Sequence, residues 1–121
     1  MDKEQALHNF YSGFSISAYD VNSVPDNAVM PYLTYEVKSD SFDNTVFVSP
    51  SLWYNSTSWA SITQKAQEIS DCLGLGGKLI HFDGGSIWIK RATPFAQRIS
   101  TDKDTVKRIS LNLGIEFFSE N

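Results

Sequence analysis

Near the amino terminus Ala6, Leu7, Phe10, Tyr11 and Phe14 recur at steps of three and four residues. That is the period of one helix face, so the spacing predicts a short helix. Asp2 and Glu4 stand at its start, where the helix dipole favours negative charge, and Gly13 stands near its end. A second stripe, Trp59, Ile62, Ala66, Ile69 and Leu73, predicts a helix over 58–73. Ser56, Thr57 and Ser58 are its N-cap candidates, and Gly74, Gly76 and Gly77 supply a left-handed exit.

Elsewhere the period is two. Leu33, Tyr35 and Val37 alternate with Tyr32, Thr34 and Glu36, which predicts a strand over 31–37. A polar turn at 39–44 leads to a second strand from Thr45 to about Tyr54, where Pro50 demands an edge position or a bulge. Lys78–Phe82 and Ser86–Arg91 flank Asp83-Gly84-Gly85, a hairpin signal because glycine supplies positive φ. Ile109, Leu111, Leu113, Ile115 and Phe117 alternate with Arg108, Ser110, Asn112, Gly114 and Glu116, the pattern of a half-buried strand. Residues 15–30 hold Ser-Val-Pro-Asp-Asn at 23–27 and predict a long connection, either a packed surface loop or a contact arm. The order α–β–β–α–β–β–β shows no internal repeat and no strand–helix alternation. It predicts an α+β fold, a mostly antiparallel sheet with two main helices packed on one face.

Composition narrows the class. At 121 residues the chain is expected to form a single domain, 1–121. One cysteine, Cys72, excludes an internal disulfide and reads as a small, partly buried filler. Charged residues at 20% and hydrophobic ones at 41% argue against disorder. The apolar runs are too short for a membrane helix, and no apolar signal core follows Met1-Asp2-Lys3-Glu4-Gln5. The expected location is therefore the cytoplasm where the chain is made, with no membrane partner. Aromatic residues are abundant at 13%, which fits either an aromatic core or an interface, where Trp and Tyr are favoured. The net charge of −4 is segregated. Residues 1–89 hold 4 basic and 10 acidic side chains, whereas residues 90–108 hold Lys90, Arg91, Arg98, Lys103, Lys107 and Arg108 against Asp102 and Asp104. A basic segment on an acidic body suits an acidic partner surface, including a second copy of the chain.

Catalytic and cofactor signals fail one by one. Gly74-Leu75-Gly76-Gly77-Lys78 has Cys72 where a phosphate loop needs glycine and Leu79 where it needs Ser or Thr, and the helix precedes it instead of following. His8, His81 and Cys72 have no metal-ligand spacing, and Asp102-Lys103-Asp104 lacks the glycine and terminal glutamate of a calcium loop. His81 beside Asp83 and Cys72 has no orienting third group in sequence and reads as a packed or surface histidine. Asn55-Ser56-Thr57 matches a glycosylation sequon but reads as a helix cap. Basic residues beside Trp88 and Phe95 resemble a nucleic-acid pattern, but the acidic whole opposes dedicated binding. No catalytic residue, metal site or cofactor is assigned.

Several stretches resemble a family of small proteins encoded in the tail and neck modules of phages and prophages of Gram-positive bacteria. They are Val24-Pro25-Asp26-Asn27-Ala28 with Pro31–Tyr35; Ser51-Leu52-Trp53-Tyr54-Asn55 running into Ser56–Ala60; Asp83–Arg91; and Pro94-Phe95-Ala96-Gln97-Arg98, with the terminal strand from Arg108 to Phe117. One departure stands out: the family usually has glycine where Ala92 stands, and alanine is harder to place at positive φ.

The resemblance implies a tail-terminator, or tail-completion, protein with no enzymatic activity. Such proteins form a ring, usually a hexamer, on the head-proximal end of the tail tube. The ring ends polymerisation of the major tail protein and meets the head-closure or connector protein. DNA passes through its lumen without specific binding, and the protein ends in the virion at the tail–head junction. The alternative is a head-closure or other head–tail connector subunit, and more distantly an enzyme of unknown chemistry. The charge pattern and the aromatics nominate Lys90, Arg91 and Arg98 as partners for carboxylates of a neighbour, with Trp53, Tyr54, Trp88 and Phe95 supplying apolar contact. Trp53 and Trp88 serve equally as core or sheet-surface residues.

Overall fold

The structure, a computed structural model, describes residues 1–38 and 45–119. Helix α1 spans Lys3–Tyr11 and continues into a 3₁₀ turn, Ser12–Phe14. Its start is a capping box: the Asp2 side chain accepts from the Gln5 N–H at 2.8 Å, and the Gln5 side chain accepts from the Asp2 N–H at 3.0 Å. The face predicted from periodicity is the buried one, Ala6, Leu7, Phe10, Tyr11 and Phe14. Helix α2, Ala60–Leu73, buries Ile62, Ala66, Ile69, Ser70 and Leu73. Its cap position is Trp59, which makes no side-chain cap bond. The Ser58 hydroxyl instead accepts from the Ala60 N–H at 3.1 Å.

Seven strands form one sheet: β1 Ser17–Asp20, β2 Tyr32–Tyr35, β3 Thr45–Val48, β4 Ser51–Asn55, β5 Lys78–Phe82, β6 Gly85–Ile99 and β7 Val106–Ser119. Their order is β1-β2-β4-β7-β6-β5, with β3 also paired to β7. The fold is α+β, but the sheet is mixed, because β1 pairs with β2 in parallel. The helices take separate positions: α2 lies against β4, β6 and β7, and α1 against β1 and β5. The core joins both helices to the inward-facing residues of β7, Ile109, Leu111, Leu113, Ile115 and Phe117.

Four further expectations change. The 15–30 connection contains β1, whose ladder partner β2 lies beyond the loop. The 45–54 strand is two strands, broken at Ser49-Pro50 yet both on β7, and the Pro50 carbonyl still accepts from the Leu111 N–H at 2.8 Å. Strand β6 runs on to Ile99, well past the hairpin segment ending at Arg91. Cys72 is exposed, not a partly buried filler. The polar turn at 39–44 lies outside the described residues.

Candidate functional site

The seven nominated residues divide between two surfaces. On β4, Leu52 points into the core and Trp53 to the opposite face, because strand neighbours alternate. Trp53 donates from Nε1 to the Thr34 hydroxyl at 2.9 Å. The Arg108 guanidinium lies 4.6 Å from its ring centroid, and Arg108 Nε donates to the Ser51 hydroxyl at 3.1 Å. Trp88 and Lys90 share that outer face. Trp88 Nε1 donates to the Gly76 carbonyl at 2.8 Å, while Lys90 Nζ sits 4.8 Å from the Trp88 ring and 3.7 Å from Glu116. Lys90 therefore already has a carboxylate of its own chain. Phe47 and Leu79, both more than half exposed, stand on the same face opposite Gly114 and Trp88.

Tyr54, Arg91, Phe95 and Arg98 belong to the helix side. Tyr54 packs against the core near α2, and burial, reinforced by Glu68, raises its pKa. Arg91 donates to the Ser70 hydroxyl of α2 at 2.8 Å. Arg98 lies 4.7 Å from the centroid of Trp59, and Lys107 reaches the same ring at 5.4 Å.

Between α2 and the far half of β6 runs a groove of about 220 Å³. Its floor is Ala66, Phe95, Ala96 and Ile109, and its polar rim is Thr63, Gln67, Ser70, Gln97 and Arg98. Phe95 also lines a second hollow with Leu75, Arg91, Ala92 and Thr93, so Arg98 borders one hollow and Arg91 the other, with Phe95 common to both. Among the described residues no carboxylate lines either part, and Asp71 is engaged beside it by Gln67 at 2.8 Å.

One irregularity makes this juxtaposition possible. From Arg91 to Ala96 β6 advances five residues while its β7 partners advance only two, Leu113 to Leu111. The odd surplus reverses which residues face the helices. Arg98 thereby joins Arg91 on the helix side, whereas a regular strand would hold them on opposite faces.

Other sequence candidates separate. His81 shares a hydrogen bond of 2.9 Å with the Ser86 hydroxyl, not with Asp83 or Cys72. Lys78 Nζ lies 3.8 Å from Cys72 Sγ. Among the described residues no group of three or more His, Cys, Asp and Glu is placed to hold a metal ion, and no helix is long and apolar enough to cross a membrane. Sequence reasoning missed Trp59 as the platform for Arg98, Arg108 as the cover of Trp53, and the α2 flank at Thr63 and Gln67. Alternation places Arg108 on the polar face of its strand, but its seat over Trp53, like the side on which Arg98 falls, follows from long-range strand register.

No family model matches the chain, and no curated protein matches it. Among solved structures there is a match over nearly the full length of both partners. The chain shares its fold with a chain from the virion of a native gene transfer agent particle. The TM-score is 0.67 and the identity 18%, with 97% of this chain and 95% of that chain covered. At that identity the likeness is one of fold.

Proposed function

We propose that this protein is a structural component of a phage-type virion, and that its place is the tail–head junction as a tail terminator. One observation carries the reading: the end-to-end likeness to a chain of a gene transfer agent virion, which leaves little of either chain unmatched. A likeness confined to a common supersecondary unit would carry much less. The resemblance of 24–28, 31–35, 51–60, 83–91, 94–98 and 108–117 to tail and neck proteins supports the junction as its place within the virion. In this role the chain forms a ring on the tail tube, ends polymerisation of the major tail protein and meets the head connector, while DNA crosses the lumen. The acidic body suits a conduit, since carboxylates repel phosphates and leave DNA free to slide.

Deletion of the gene from its phage or prophage tests this. Overlong tails without heads are the expected result. Tails of normal length that fail to join heads would assign the chain to head closure or connection instead. Particles indistinguishable from wild type would overturn both.

A further inference from the structure

The groove has a counterpart elsewhere on the same molecule. The loop over 21–31 joins β1 to β2 at one end of the strand order, whereas the groove flanks β6 near the other end. No lysine or arginine occurs between Lys3 and Lys38, and the loop holds Asp26, which is exposed. Val29 is 78% exposed and Val21 51%. The loop is also built, not slack: Val21 N–H donates to the Tyr35 carbonyl at 2.8 Å, Ser23 N–H to Asp20 at 2.8 Å and Ala28 N–H to Pro25 at 3.1 Å. A pre-shaped loop loses little conformational freedom on docking.

We propose that the 21–31 loop of one copy seats in the groove between α2 and the far half of β6 of a second copy. Val29 lies over the apolar floor beside Phe95, and Asp26 faces Arg98. The two surfaces are different patches of the chain, so the contact is heterologous and repeats head to tail, the kind that closes into rings. This inference rests on self-assembly as read above, and it names the surfaces that meet.

Cross-linking tests it in a Cys72→Ser background. Chains carrying Val29→Cys are mixed with chains carrying Ala96→Cys and treated with a short bismaleimide, both as purified protein at high concentration and in assembled particles. The expected result is a covalent dimer from the mixture, none from either population alone, and a ladder from the double-cysteine chain. Arg98→Glu should lower the yield at least tenfold, and Asp26→Lys in the partner should restore it, with circular dichroism verifying that both fold. Equal cross-linking within one population, no cross-link in either setting, or capture of a different virion protein by Ala96→Cys would each overturn the contact. Normal tails on gene deletion with the cross-link intact would remove the junction role alone. Overlong tails without the cross-link would remove the contact alone.

Discussion

Tyr11 buries its ring almost completely, stacked on Tyr35 at 4.6 Å between centroids and edge-on to Phe10 at 5.3 Å. Its hydroxyl has no hydrogen-bond partner among the described residues. Leaving such a group unpaired costs about 1–3 kcal/mol. Burial foremost, then Tyr35 and Glu36, pushes its pKa far above the ordinary 10.0. The folded state therefore keeps a proton that the unfolded chain releases, so stability is full below about pH 10 and falls as pH rises above it. Burial, Asp20 and Glu4 raise Tyr35 in the same direction. Tyr11→Phe should thus leave neutral-pH stability equal or higher by up to about 1 kcal/mol. It should also reduce, without abolishing, the alkaline loss. Denaturant midpoints at neutral pH and above about pH 10 measure both effects. A loss above about 2 kcal/mol at neutral pH would mean that the hydroxyl has a partner after all. The i, i+3, i+4 spacing assigned Tyr11 to the core correctly, but periodicity identifies a face and says nothing of where one oxygen ends.

At the scale of elements, what was legible had a local cause. Helix α1 has its apolar stripe and capping box within a dozen residues, and the β5–β6 hairpin has its turn in Asp83-Gly84, with Gly84 at φ 91°. Strand β1 and the far half of β6 have no such cause: one depends on a parallel partner beyond the 21–31 loop, the other on β7 after a bulge. The exit from α2 shows how closely local chemistry is tied to packing. Gly74 and Gly77 take positive φ, as the glycine cluster predicts. Gly77, at φ 79°, also lies so close to the hairpin that a Cβ there would come within 2.6 Å of the Ile89 carbonyl and 2.7 Å of Trp88 Nε1. Gly76 has open space around a Cβ and no positive φ. Gly77→Ala should therefore destabilise the fold by about 1–3 kcal/mol through backbone strain alone, with more from the clash. Gly76→Ala should stay within about 0.5 kcal/mol, as an ordinary surface change does. Thermal or chemical denaturation of the pair decides the matter. Equal losses would show that the loop, not the close approach, sets the cost.

For the molecule as a whole, the segregation of charge was legible in the sequence, but its arrangement was not. Five of the seven nominated residues lie in or beside the basic segment and Trp53 and Tyr54 lie far before it, yet the seven divide between two faces in another way. Three face away from the core and four toward the helices, with the odd surplus in β6 deciding the side on which Arg98 falls. Lys90 meets Glu116 and Arg91 meets Ser70, whereas Arg98 is exposed and has Trp59 as its platform. Of the three nominated cations, Arg98 is thus the best disposed to act between molecules, and exposed rim charges act chiefly through screened attraction. The screening length falls from about 10 Å at 0.1 M salt to about 3 Å at 1 M. Self-association through the groove should weaken progressively over that range in sedimentation velocity experiments. The apolar contact of Val29 with the floor at Phe95 is much less salt-sensitive, so a residual association should persist at the upper end. Arg98→Glu should associate weakly at low salt and show a flattened or reversed salt response, because like charges then face each other and screening relieves them. Association of the wild-type chain that strengthens steadily with salt would mean that burial of apolar surface drives assembly and that the basic segment serves another partner.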